Sequence, residues 1–224
     1  FGGLCAWEGK SGRFRTYQAR NGMKLENIVH LAKANDGGIW ITPRHSDPIY
    51  FDSRSHRFTS LSDMGIQLGC RSNLCAFADG DLLYVGHYRG GMSIIDLKKK
   101  TTCRMLHDPA VPQSLPGHSV YSLYKDRLGH LWVGTEWGLG LLDSSTGRFT
   151  VFRHVQGRTS SLVADHVYDI CETADGKLWI ACDVGGISIL DLSQITFKHP
   201  EEVCFENLLP AVTEKGLSSS NIRK

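Results

Sequence analysis

The chain has 224 residues, 41% hydrophobic and 21% charged, which is the balance of an ordinary soluble globular protein and excludes disorder as its main state. Its formal net charge of +2 lacks the basic excess of a nucleic-acid or membrane-surface binder, and Lys98-Lys99-Lys100 reads as a solvated hairpin end. No apolar run approaches the roughly 20 residues of a membrane span, and the chain opens with neither Met nor a basic-then-apolar leader.

Taken in chain order, residues 1–20 predict only two strands, one closed by Trp7-Glu8 and the next carrying Phe14. Residues 27–61 hold a complete unit. It has an apolar strand, the turn Asn35-Asp36-Gly37, a strand with Trp40, the link Pro43-Arg44-His45-Ser46, a third strand ending in Phe51-Asp52, and a fourth with Phe58. The same order recurs over 71–107, 119–155 and 166–200, and 218–224 matches the start of a further first strand. Every run is of strand length, rich in β-branched, aromatic or leucine residues, and bounded by Gly, Asp or Ser.

The register of the repeat decides the fold class. Turn glycines Gly37, Gly80, Gly129 and Gly176 stand 43, 49 and 47 residues apart, and three residues after each comes Trp40, Leu83, Trp132 or Trp179. An acid preceded by an apolar residue ends the third strand at Glu8, Asp52, Asp96, Asp143 and Asp191. Six residues further stand Phe14, Phe58, Thr102, Phe149 and Phe197, so only the unit with Thr102 departs. A four-stranded unit of this size cannot bury both faces alone, and units therefore stack face to face.

The expected fold is all-β, a β-propeller of four-stranded antiparallel blades, and the chain reads as an excerpt of a larger propeller with about four full blades and partial strands at both ends. Trp132 and Trp179 are expected to be buried between neighbouring blades, and the strand-end acids to form turns by accepting backbone hydrogen bonds. The seven cysteines leave at least one thiol outside any internal disulfide, none lies in a C-x-x-C pair, and Cys171 and Cys182 are expected as small buried hydrophobes.

The phrases DRLGHLWVGTEWGLGLLDSSTGRFTVF and ADGKLWIACDVGGISILDL closely resemble the regulator-propeller repeats of the extracytoplasmic sensor region in bacterial hybrid two-component histidine kinases. Asp126, Gly129, Leu131, Trp132, Val133, Gly134 and Thr135 match the family's running text without a gap. The first full unit fits with Pro43 in place of the Gly, and the second lacks the Trp. The resemblance implies a periplasmic sensor segment, often for oligosaccharides released from a polysaccharide, signalling to a cytoplasmic histidine kinase that is not in this chain.

In a propeller the links from second to third strand emerge on one face, where side chains vary without disturbing the core. The candidate ligand-binding residues there are Arg44, His45, His87, Tyr88, Arg89, Glu136, Trp137 and Asp183. Aromatic rings with cationic and anionic groups suit a sugar or uronate, the arginines offering planar forks to a carboxylate or sulfate. The opposite rim, with its short Asp-Gly hairpins, is expected to leave little room for a site.

Two other classes compete with a sensing module. One is a protein-interaction scaffold without a small ligand. The other is a propeller lyase or glycosidase using Glu136 and Asp183 as paired carboxylates, or His45, His87 or Tyr88 as a base. The sequence has no nucleophile elbow, no metal-spaced His pair and no phosphate-cradling loop. The expectation is a non-catalytic fragment without cofactor or metal. Its partners would be an oligosaccharide, the remaining blades of its parent and a second copy in a homodimer, with no nucleic acid and no membrane insertion by this segment.

Overall fold

The repeated turns shape the backbone as their residues require. Gly37, Gly80, Gly129 and Gly176 all take positive φ, between 59° and 90°, which a side chain at those positions would disfavour. The structure, a computed structural model, describes residues 3–17, 25–183, 185–194 and 200–209. The further strand expected at 218–224, and Phe197, lie outside the described residues.

Strands β1 (Leu4–Glu8) and β2 (Arg13–Tyr17) form a two-stranded antiparallel sheet. Four four-stranded sheets follow, each with its strands hydrogen-bonded in chain order. The first is β3 (Ile28–Lys33), β4 (Ile39–Pro43), β5 (Ile49–Asp52) and β6 (Arg57–Ser60). The second is β7 (Asn73–Asp79), β8 (Leu82–His87), β9 (Met92–Asp96) and β10 (Thr101–Met105). The third is β11 (Val120–Lys125), β12 (Leu131–Thr135), β13 (Gly138–Asp143) and β14 (Arg148–Phe152). The last is β15 (Val167–Glu172), β16 (Lys177–Cys182), β17 (Gly186–Asp191) and β18 (Glu206–Leu208).

The fold is all-β, a partial β-propeller of four-stranded antiparallel blades. Its helical segments among the described residues are two 3-10 turns, Leu192–Gln194 and Pro200–Glu202, and no helix there is long and apolar enough to cross a membrane.

The chain divides into two compact units, Phe1–Val85 with Ser93–Cys103, and Gly86–Met92 with Arg104–Lys224. In the first, Trp40 packs with Ala76, Leu83 and Ile95 of the following sheet. Leu4 packs with Ile41, Ile49 and Phe51. In the second, Trp132, Leu141 and Phe152 pack against Ile170, Leu178 and Leu190. Trp40 and Trp132 thus each face the next sheet along the chain.

This direction explains a correction. Trp132 is fully buried, but Trp179, at the same register position, is only half-buried, and Cys171 directly opposite it on β15 is exposed. The face they share would be covered by a sheet following β18, and none is among the described residues. Cys182, on the other side of the same sheet, is fully buried as expected.

The last blade also ends later than the regular spacing places it. Phe149 N donates to Gln113 O at 2.8 Å, and the matching bond in the next blade is Phe205 N to Ser160 O, also 2.8 Å. Phe205 therefore takes the structural role that counting six residues from Asp191 gave to Phe197, and the fourth strand is Glu206–Leu208. Arg158 secures the intervening segment, its Nη2 donating to Glu201 O at 2.6 Å and Val203 O at 3.1 Å.

The strand-end acids are turn formers. Asp52, Asp96, Asp143 and Asp191 each accept a backbone N–H from two residues on, at 2.8 to 3.1 Å. Asp126 is a buried acceptor of another kind. It takes the indole N–H of Trp132 at 2.9 Å, an imidazole nitrogen of His130 at 3.0 Å, and the amides of Leu128 and His130, so the turn acid and the core tryptophan are locked together.

Candidate functional site

The eight residues singled out in the sequence divide between the two units. Arg44 and His45 belong to the first, where Arg44 N donates to Asn27 O and Arg44 O accepts from Asn73 N, both at 2.9 Å, while the His45 side chain is exposed. The other six belong to the second unit.

Of those six, two are committed to the fold. His87 is fully buried at the end of β8, out of reach of a ligand on the loops, and burial, with the Arg104 charge adding to it, pushes its imidazole down to about 4. Glu136 is a backbone clamp. Its Oε1 accepts from His118 N and Ser119 N at 3.0 Å each, and Oε2 from Ser119 N at 2.8 Å. A carboxylate so engaged is poorly placed to act as a general acid, whose proton needs a free oxygen.

Asp183 stands in the corresponding link of the next blade. Its amide donates to His166 O at 2.9 Å, and its Oδ2 lies 3.9 Å from His166 Nδ1. Tyr88 and Trp137 are exposed, at 45% and 42%. Arg89 sits at a φ of 53°, held there by its amide donating to Ser119 Oγ at 3.0 Å. The Ser119 side chain also meets the Tyr121 phenol, which ties the Arg89 link to the start of β11.

Tyr121 introduces residues that the sequence reading passed over. Pairing of β11 with β12 slips between Val120 and Ser122, and pairing of β15 with β16 slips between Val167 and Asp169. The extra residues are Tyr121 and Tyr168. A bulge re-aims the side chain it carries, and here both bulges carry a tyrosine. Between them lies His166, stacked on Tyr168 at 4.4 Å and 20°, and 4.7 Å from the Tyr121 ring; the two tyrosines meet edge to face at 5.2 Å. Burial, and then the Glu136 charge, raises the Tyr121 phenol above its ordinary value.

The sequence signal for this cluster was the pair Ser119-Val120-Tyr121-Ser122 and His166-Val167-Tyr168-Asp169, at equal distances before Gly129 and Gly176. It was overlooked because a strand start was read as core, where alternation hides a bulge.

The expectation that the hairpin side leaves little room needs correcting too. A cleft of about 680 Å³ lies there, between the turn holding Gly129 and His130 and the β13–β14 turn from Asp143 to Arg148, with Gln113 at its wall. In the first unit, a cleft of about 390 Å³ opens beside Asp36, Tyr50 and Gly80. The side chains there serve the turns. Asp143 accepts from Ser145 and Thr146 hydroxyls at 2.6 and 2.7 Å, and Arg148 donates to the Gln113 amide oxygen at 3.1 Å.

With this geometry in place, comparison with known proteins is informative. Residues 114–137 and 161–183 match the two-component regulator propeller family. Each segment runs from the link before a blade, through the bulge tyrosine and the turn, into the second-to-third strand link. These two segments are similar to two-component regulator propeller repeats.

The whole chain is similar to the extracellular domain of BT3049, assigned as a hybrid two-component system, from B. thetaiotaomicron, with 27% identity and a TM-score of 0.79. The chain spans 28% of that domain. A stretch of 95 residues is 30% identical to Histidine kinase P4 of Formosa agariphila, covering 41% of this chain and 7% of the kinase. Virginiamycin B lyase from Staphylococcus aureus, at 16% identity and a TM-score of 0.62 over 87% of this chain and 61% of the lyase, shares the fold alone.

Proposed function

We propose that this chain is part of the extracytoplasmic ligand-sensing propeller of a hybrid two-component sensor. Its ligand is an oligosaccharide released from a polysaccharide, and binding is signalled to a cytoplasmic kinase elsewhere in the parent protein. The similarity to the BT3049 extracellular domain along the full chain supports the sensor part and an extracytoplasmic location.

One observation carries the binding part: the bed of Tyr121, His166 and Tyr168 beside Asp183, its two tyrosines placed by first-strand bulges where the matching bulge of the first full blade carries Val29. Aromatic rings with a polar edge suit a sugar, whose C–H face is apolar and whose hydroxyls need partners. Tyr88, Arg89 and Trp137 extend the same set of links. The reading as a module without turnover is supported by Glu136, whose carboxylate accepts three hydrogen bonds from the His118 and Ser119 amides and so is poorly placed to pair with Asp183 across a glycosidic bond as the acid.

The test is calorimetry of the parent's extracytoplasmic region against defined digests of plant, algal and host polysaccharides. An oligosaccharide is expected to bind without being cleaved, and Tyr168→Ala is expected to weaken it about tenfold or more through loss of stacking. Cleavage of the glycan, or binding untouched by both Tyr121→Ala and Tyr168→Ala, would refute the reading.

A further inference from the structure

Two successive links between blades are built on one frame. Before β11, the His107 Nδ1 lies 2.7 Å from Leu115 O, and Ser114 Oγ accepts from Asp108 N at 2.9 Å. Before β15, the His154 Nδ1 lies 2.8 Å from Leu162 O, and Ser161 Oγ accepts from Val155 N at 2.9 Å. The frame serves the fold in both places, so the residues that differ between the links are where a further use is to be sought.

Among the residues that differ are three prolines. Pro109, Pro112 and Pro116 stand where the second link has Gln156, Thr159 and Val163. Together with His107, Asp108, Ser114, Trp137 and Arg153 they line a pocket of about 270 Å³, in which the Asp108 carboxylate accepts from the Ala110 amide at 2.9 Å. Proline fixes φ and has no N–H, so the three prolines make apolar, preformed parts of the wall that a ligand need not order on binding. Trp137 is steadied by two imidazoles that meet it edge to face, His107 at 5.3 Å and His118 at 5.0 Å. Arg153 is anchored by its Nη2 donating to Pro116 O at 3.2 Å.

We propose that this pocket is the subsite for one hexuronate residue of an acidic oligosaccharide, a reading that rests on the oligosaccharide ligand proposed above. The volume, at the small end of ligand pockets, suits a single pyranose ring. The ring's C–H face lies against the indole of Trp137. Its carboxylate takes the planar fork of Arg153, which has five donors and spends one on Pro116. The carbonyl of Leu115 is an acceptor and therefore requires Nδ1 of His107 to carry the proton, which leaves Nε2 as an acceptor for a sugar hydroxyl. A neutral sugar would fill the same space but would cover the guanidinium without pairing it, so the pocket selects by charge.

The experiment titrates the intact chain with trisaccharides of galacturonate, glucuronate and mannuronate, each beside its carboxyl-reduced counterpart. At least one uronate is expected to bind about tenfold or more tightly than its reduced form, the range of a charge-assisted hydrogen bond. Arg153→Gln should abolish that preference and leave the reduced sugar unchanged, whereas Arg153→Lys should keep part of it. Trp137→Ala should weaken both sugars with an unchanged circular dichroism spectrum. Equal affinity for the acidic and reduced forms, or a preference that survives Arg153→Gln, overturns the subsite while the oligosaccharide reading stands. If neither class of sugar binds, nor any digest in the wider panel, the proposed function fails and the subsite falls with it.

Discussion

The two tryptophans at equal positions in successive blades provide an internal control on how these sheets stack. Trp132 is fully buried against the next sheet, and its indole N–H is bound to Asp126 at 2.9 Å. Burying about 150–250 Å² of tryptophan at about 25 cal/mol per Å² contributes about 4–6 kcal/mol. Trp132→Ala is therefore expected to cost about 3–5 kcal/mol, in line with other core tryptophan truncations. Trp132→Phe keeps most of the volume but deprives the Asp126 carboxylate of one donor, for about 2 kcal/mol. Trp179 is half-buried, with no following sheet packed on it among the described residues, and Trp179→Ala should cost roughly half as much as Trp132→Ala, about 2 kcal/mol.

Urea unfolding followed by far-ultraviolet circular dichroism measures all three variants. Hydrogen exchange at β12 and β16 locates the loss, since both strands belong to the second unit. A Trp179→Ala variant as damaging as Trp132→Ala would mean that the half-buried indole supports as much structure as the buried one, and would refute the stacking direction.

Three further outcomes are expected. Hydroxyl bonds from Ser145 and Thr146 hold the Asp143 carboxyl down to about 2, and Asp52, Asp96 and Asp191 are lowered by their own serine or lysine neighbours. A depressed carboxylate stabilises the fold above its unfolded value near 4, and that stability is lost as pH falls from about 4 towards 2; Asp143→Asn should flatten part of this acid limb in pH-dependent unfolding. Arg158→Ala should speed amide exchange in Glu206–Leu208 by about tenfold, because it removes the clamp on Glu201 O and Val203 O; unchanged protection would show that the segment holds itself. Glu136→Gln should cost about 1–2 kcal/mol and expose the His118 and Ser119 amides to exchange, whereas a neutral result would return Glu136 to the list of groups available for ligand or chemistry.

The fold was legible in the sequence because the repeat is written in residues whose roles are local. A glycine at positive φ and an acid that captures amides two residues on do their work within a few residues, so their spacing alone announces the hairpins. Burial is not local. Trp132 and Trp179 look alike in the sequence, and what separates them is a following sheet, present for Trp132 and not found for Trp179 among the described residues. The fourth strand of the last blade was misplaced for a related reason. Eight extra residues between Asp191 and Phe205 leave another phenylalanine at the regular distance, and the hydrogen bond to Ser160 that distinguishes them comes from the preceding link.

The candidate site shows the same division between local and distant causes. The links were found by position, but a polar residue on a link either holds the scaffold or faces outward, and the sequence does not say which. Glu136 turned inward because the amides of His118 and Ser119 lack strand partners at the approach to β11 and need an acceptor. Asp183, one methylene shorter in the matching place, leaves its carboxylate at 3.9 Å from the His166 ring and its amide on the backbone. The Glu136 carboxylate is thus spent on the backbone of the neighbouring link, whereas that of Asp183 stands beside an imidazole. The proposed recognition surface accordingly rests on the rings that the bulges and links present, Tyr121, Tyr168, Tyr88 and Trp137, with charge supplied from the segments behind them.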